Sequence, residues 1–232
     1  MRTRPGPVCA FALVVVLLAA CGGLQPEDPA QALREGGGAM AGLKTVSATL
    51  KFTKGSVSFR GFALVSAKAA VRLPTDSDTT YTVRQKDVQI ALEVIISGGR
   101  VYLHLPFSGY NELTGAEAAD IPDLAKLFDA KNGLPAVIPA GRNAKYLTAE
   151  QIDGVDSHKV EVTYTAAQIH GMLPQLTSSG DVDALIWIGG SDHLIRKAVL
   201  SGPFGDNGTA SVVEVDLSGF NGAVAITTPA AS

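Results

Sequence analysis

The sequence predicts an α+β domain: one curled antiparallel half-barrel sheet with helices on its concave side, enclosing an apolar cavity. Three observations predict it. After Thr45 apolar and polar residues alternate with period two, the mark of strands buried on one face. Two of the alternating stretches are far longer than a usual strand of about 5–6 residues, and long antiparallel strands twist and curl. The middle of the chain, Pro122 to Ala130, switches to helical period, with Leu124, Leu127 and Phe128 on one face.

The N-terminus has its own logic. Arg2 and Arg4 form a positive region and Val8 to Leu18 an almost purely apolar run, the layout of a secretory signal. That run is roughly half the ~20 residues a membrane-spanning helix needs. Leu18-Ala19-Ala20-Cys21 matches a bacterial lipobox, in which the cysteine is acylated and becomes the new N-terminus. The expected division is a signal over 1–20, a tether over 21–28 and a single domain over 29–228. The anchor places the protein on the extracytoplasmic side of the cell membrane.

Removing the signal takes away two arginines and no acidic residue, so the formal charge moves from -3 to -5, which argues against nucleic acid as a partner. Cys9 leaves with the signal and Cys21 takes the acyl group, so the folded part has no thiol. No disulfide framework, cysteine metal site or thiol nucleophile is available to it. Only 6% of the chain is aromatic. Alanine, valine, leucine and glycine supply most of the apolar content, and small side chains on a curled sheet suit a cavity.

A helix is expected from Pro29 through Leu33 toward Met40, weakened by Gly36, Gly37 and Gly38 at about 1 kcal/mol each. Val46, Ala48, Leu50 and Phe52 give the first strand. A second is expected from Val57 to Leu73, with Gly61 at a bend or bulge, and a third from Thr80 to Ile96. Val101, Leu103 and Leu105 continue as a fourth. After the central helix, Leu134 to Ala140 starts another short one. Strands return at Ala144 to Leu147 and His158 to Tyr164, and Thr165 caps a helix over Ala166 to Leu173. A meander ends the chain: Asp183 to Ile188, Leu194 to Leu200 and Thr209 to Phe220, with a tight turn at Asp206-Asn207-Gly208.

Little here carries catalytic chemistry. His104, His158, His170 and His193 fall in no metal-ligand spacing, and His158 and His193 read as surface residues. No cofactor is expected. Ser191-Asp192-His193 are neighbours in a hairpin turn, whereas a triad draws its members from separate elements. No nucleophile elbow appears, so no enzyme is expected.

Ala184-Leu185-Ile186-Trp187-Ile188, followed by Leu194 to Pro203 and by Leu217-Ser218-Gly219-Phe220, resembles the mycobacterial lipoprotein family that includes LprG, LppX, LprA and LprF. Lys131-Asn132-Gly133-Leu134-Pro135 and the order of elements over Met40 to Leu105 add to the likeness. Gly189-Gly190 departs from it, standing where the pattern has an acidic residue. The resemblance implies a half-barrel similar to LolA and LolB, with an apolar cavity between sheet and helices. It implies a cell-envelope carrier of acylated glycolipid, triacylglycerol or wax-type lipid between membranes. The expected partners are that lipid, the cytoplasmic membrane through the anchor, and a membrane permease. The one residue the family's motif assigns is Cys21. Strand alternation adds the expected cavity lining: Val57, Phe59, Ala63, Val65, Ala67 and Ala69 on the second strand, Val88, Ile90, Leu92 and Val94 on the third. Phe62 and Leu64 interrupt the first of these patterns. The competing readings are an envelope lipoprotein with a solid core and, further off, a lipid-modifying esterase.

Overall fold

The computed structural model describes residues 24–230; the segment expected as a secretory signal and Cys21 lie outside the described residues. Helix α1 spans Pro29–Ala41. The Asp28 carboxylate caps it by accepting the Gln31 amide at 2.8 Å, and Pro29 stands where no amide is missed. β1 follows over Thr45–Lys54. The stretch expected as one second strand is two, β2 (Ser58–Phe59) and β3 (Phe62–Arg72). Arg60 and Gly61 take φ of 52° and 83°, which reverses the chain in a tight hairpin rather than bending it. The stretch expected as one third strand, Thr80 to Ile96, is likewise divided, between the end of β4 (Asp76–Gln85) and β5 (Val88–Ser97), with the turn at Lys86, φ 55°. β6 (Arg100–His104) and β7 (Tyr110–Leu113) complete this meander.

Residues 114–141 carry the chain from β7 at one edge of the sheet to β8 at the other. This strap holds α2 (Gly115–Ala119), a 3₁₀ turn over Leu124–Phe128, α3 (Leu134–Val137) and a 3₁₀ turn over Ile138–Ala140. The helix expected over Pro122 to Ala130 is thus the first 3₁₀ turn. β8 (Arg142–Ile152) and β9 (Val155–Tyr164) form the next hairpin. α4 (Ala166–Met172) starts with a capping box between Thr165 and Gln168. β10 (Val182–Gly189), β11 (Ile195–Gly202) and β12 (Ser211–Ser218) end the sheet.

The strand order is β7-β6-β5-β4-β3-β1-β12-β11-β10-β9-β8, with β2 beside β3. Every pairing along it is antiparallel. The first and last strands meet in the middle of the sheet, Ser47 opposite Ser218. The α+β half-barrel of antiparallel strands expected from the sequence is the fold observed.

Two apolar clusters divide the inner face. In one, Leu33 and Met40 of α1 pack with Val160, Val162, Ile186, Ile188 and Val213 of the C-terminal half. In the other, Leu64, Ala67, Tyr81, Val83, Leu92 and Val94 of the N-terminal half gather with Ile121 of the strap. α1 survives its three glycines because two of them are contact points. Gly36 lies against Ile188 and Ile195, and Gly37 against Pro135 and Pro139, whereas Gly38 has nothing near it.

Trp187 and the arginine that follow the family-like signature do structural work on the outer face. Trp187 donates to Glu150 at 2.8 Å beneath the Lys159 and Lys197 ammonium groups. Arg196, with a side chain 9% exposed, holds Asp192 through two bonds of 2.9 and 2.6 Å. The Arg196 bonds keep the Asp192 carboxyl below its usual value of 3.8. Asp192→Asn is expected to cost about 1 kcal/mol near neutral pH, at the modest end because solvent reaches the aspartate. A depressed carboxyl stabilises the fold above its unfolded-state value and loses that contribution as pH falls through the folded value. The midpoint gap between wild type and Asp192→Asn, followed by thermal unfolding, should therefore close below about pH 4.

Candidate functional site

The inner face of the N-terminal half is built by cross-strand pairing. Leu50 of β1 stands opposite Ala67 of β3, and Ala67 opposite Tyr81 of β4, which faces Leu92 of β5. Ala48, Ala69, Thr79 and Val94 form the next row. Because facing residues of paired strands share a side, these rows point where α1 and the strap lie. Of the sequence-expected lining, Phe59, Ala67, Ala69, Leu92 and Val94 are buried there, and Val57 and Ile90 are partly buried against the same clusters. Val88 lies on the same face of β5, opposite Gln85 at the hairpin tip, and is 61% exposed.

Two residues differ from expectation. The β3–β4 register shifts between Leu64 and Ser66, so a bulge falls at Val65. An extra residue in one strand flips the alternation beyond it. Leu64 therefore pairs inward with Val83, and Ala63 pairs with exposed Arg84 on the other face. Ala63 leaves the inner set, Val65 is the bulged residue, and Phe62 and Leu64 take their place. Sequence alternation alone missed Phe62 and Leu64; the signal that could have found them was their interruption of the pattern. Leu50 and Phe52 of β1 pack against both clusters.

One polar feature is sunk in this apolar surface. Ser77, Thr79 and Tyr81 are buried along β4 on the inner side. The Tyr81 ring stacks on Phe59 with centroids 4.2 Å apart. Its hydroxyl is buried with the Thr79 side chain beside it but no hydrogen bond of good geometry, and that burial pushes the phenol pKa upward. An unmade bond on a buried hydroxyl is a cost that an oxygen-bearing ligand would relieve.

At the end of the sheet where β2 turns into β3, two pockets of about 390 and 480 Å³ open to solvent and share Ser58 and Gln175. Val57, Leu176 and Phe204 line the first, Arg60, Glu117 and Asp120 the second. The opposite end carries a clasp. Glu27, just before α1, reaches His158 at 3.1 Å, and Glu35 reaches His193 at 3.0 Å. A hydrogen bond from Gln31 leads in holding the Glu35 carboxyl low. His158, expected at the surface, is 3% exposed, because the segment before α1 lies over it. Glu27, Glu35 and His193 bring three metal-ligand atoms within 4.8 Å of one another. They are engaged here with one another and with His158. Leu24 packs on Gly190, where a Cβ would find no room. Asp192 and His193 of the hairpin run are thus committed to Arg196 and Glu35.

Among the described residues no helix is long and apolar enough to cross a membrane. The profile of the LppX_LprAFG lipoprotein family matches residues 28–226. The chain is 29% identical over 157 residues to the lipoarabinomannan carrier protein LprG of Mycolicibacterium hassiacum, covering 67% of this chain and 64% of that protein. The crystal structure of LprF from Mycobacterium bovis superposes with a TM-score of 0.70 at 23% identity, over 90% of this chain and all of that one. LppX of Mycobacterium tuberculosis gives a TM-score of 0.61 at 20% identity, over 87% of this chain and all of that one.

Proposed function

The chain belongs to the LppX_LprAFG lipoprotein family, and from that membership we propose that it is a lipid-anchored envelope carrier. Its ligand is an acylated glycolipid, a triacylglycerol or a wax-type lipid, whose acyl chains lie on the inner face of β1 and β3–β5. A related protein is named for carrying lipoarabinomannan, a ligand of the first of these chemistries. The observation that supports the reading most is the division of the inner face. α1 packs on the C-terminal half, while the apolar face around Ala67 is covered by the strap, with Ala118 and Ile121 in its own cluster and the 3₁₀ turn over Leu124–Phe128 against β3 and β4.

Burial of an acyl chain contributes about 0.8 kcal/mol per CH₂. The chain leaves one apolar medium for another, so transfer needs no bond chemistry. Phe59, stacked on Tyr81 at the short β2 hairpin, moves aside to admit it, and the Tyr81 hydroxyl meets an ester or glycerol oxygen. Native mass spectrometry of protein purified from its own host tests this. A bound mass identified by extraction as an acylated lipid is the expected result; ligand-free protein would favour a solid core. The low exposure of Ala67, Leu92 and Val94, at 7%, 2% and 1%, is the observation on the side of that second reading.

The anchor is proposed at Cys21, and a membrane permease is the proposed source or recipient of the lipid. Two or more acyl chains hold a protein on a membrane where one does not. Cys21→Ala is therefore expected to move the protein from the membrane fraction to the soluble envelope or medium with its unfolding midpoint unchanged. Identical fractionation of the two would remove the anchor from the proposal.

A further inference from the structure

We propose that the leaflet anchoring Cys21 lies against the β8–β9 and β10–β11 turns, held there by the clasp before α1. The two open pockets then face away from it. This orientation rests on the anchor reading at Cys21. The described chain begins at Leu24, three residues after Cys21, and it is docked from there on. Leu24 packs on Gly190, where an added Cβ would collide with it. Glu27 reaches the buried His158 at 3.1 Å, and Asp28 caps α1. Three Cα-to-Cα steps span at most about 11 Å. An acylated cysteine therefore lies within that radius of Leu24.

The leash meets the sheet at one end only. Gly190 stands in the β10–β11 turn, after Gly189 and before Ile195. The β8–β9 turn between Ile152 and Val155 lies beside it, since Gly189 pairs with Ser157. The first pocket, lined by Thr177 and Gly205, is at the other end, where Val182 faces Tyr164 and Gly202 faces Ser211. β9 separates the two ends over Val155–Tyr164, about 30 Å at the usual rise per strand residue. That is nearly three times the leash. Charge does not pull the sheet flat onto headgroups. On the outer face of this half Lys145, Lys159 and Lys197 are matched by Glu161, Glu150 and Glu214. Asp153 and Asp156 at the anchored end have no attraction for anionic lipid. The covalent leash is what holds that end down. A membrane or carrier that exchanges lipid through the β2 end must then approach from the side opposite the anchor.

After Cys21 the sequence has no other cysteine, so single fluorescent labels can be placed by substitution. Ser191→Cys lies beside Gly190, Thr177→Cys at the first pocket and Leu147→Cys midway along the edge strand β8. Each full chain, purified acylated from its host, is labelled and reconstituted on the outside of phosphatidylcholine vesicles whose headgroups carry a nitroxide quencher. The Ser191 label should lose most of its emission, and the labels at 177 and 147 should lose little. A glycine-serine linker inserted between Gly22 and Gly23, tripling the leash, should restore the Ser191 emission with the unfolding midpoint unchanged. Leu24→Gly with Glu27→Gln should restore part of it, since the leash then runs on to Asp28. Equal quenching of all three labels, or quenching at 147 as strong as at 191, overturns the orientation. A Ser191 label that stays quenched on the long linker overturns the clasp as its cause, because that end would then adhere by itself. Mass spectrometry of the N-terminal peptide reads acylation separately. A bare Cys21 would sink the anchor reading and this orientation together. An acylated Cys21 with equal quenching would sink the orientation alone.

Discussion

Tryptophan at Ala67 is expected to displace bound lipid while lowering stability by less than about 1 kcal/mol, a midpoint shift of about 2–4 °C. Ala67 sits between Leu50 and Tyr81 on the inner face, the face proposed to receive acyl chains. In a solid core an added indole forces neighbours off their rotamers and costs roughly 1–3 kcal/mol or more. On a carrier face the ring takes ligand volume, and the segment that yields to lipid yields to it. Lipid stoichiometry by native mass spectrometry and the thermal midpoint, measured side by side, decide between them. A large loss of stability with lipid content unchanged would end the carrier reading at this face.

Neighbouring glycines of α1 are expected to respond with opposite signs. A Cβ at Gly37 would stand 2.7 Å from the Pro135 carbonyl oxygen and 3.1 Å from the Pro139 ring. Neither the backbone nor a proline ring can swing away, so Gly37→Leu must push α1 off the strap, at roughly 3 kcal/mol. Gly38 has nothing within 4 Å of the same position, and Gly38→Ala gains about 1 kcal/mol by restricting the unfolded chain and favouring helix. Thermal unfolding of the two variants checks both. If Gly37→Leu left the midpoint in place, the close approach of α1 to the strap would be refuted.

What could be read from the sequence follows from how far each signal reaches. Period-two alternation marks β1 and the inner face of β5 correctly, because both faces of a regular strand are local consequences of the chain. Turns made without strong punctuation escaped it. Lys86 adopts positive φ with no glycine beside it, and β2 is a two-residue strand that propensity cannot see. The bulge at Val65 exchanges Ala63 for Phe62 and Leu64 on the inner face, and it is fixed by register with β4, a long-range fact. Ile95 alternates outward on β5, yet it is 5% exposed because Val224 and Ile226 of the C-terminal tail cover it with Tyr102. His158 is buried for a similar reason, by Glu27 from beyond the strands. Sequence alternation identified most of the buried inner face of β3 and β5, while the arrangement of the hairpins at each end of the sheet became visible only in the fold.

The central pairing of β1 with β12 has a consequence for how the chain comes to be folded. Strands β3 to β7 and β8 to β11 are two runs of mostly near neighbours in sequence, able to close quickly as each emerges. β1 can join the first run early, but its other edge waits for β12, the last strand made. Until Ser211–Ser218 arrives, no hydrogen-bonded seam unites the halves. Joining ends this far apart carries the largest loop-closure cost in the sheet. A chain threaded through a membrane from its N-terminus would therefore stay divided and pliable during passage. It would lock only after its final strand had crossed.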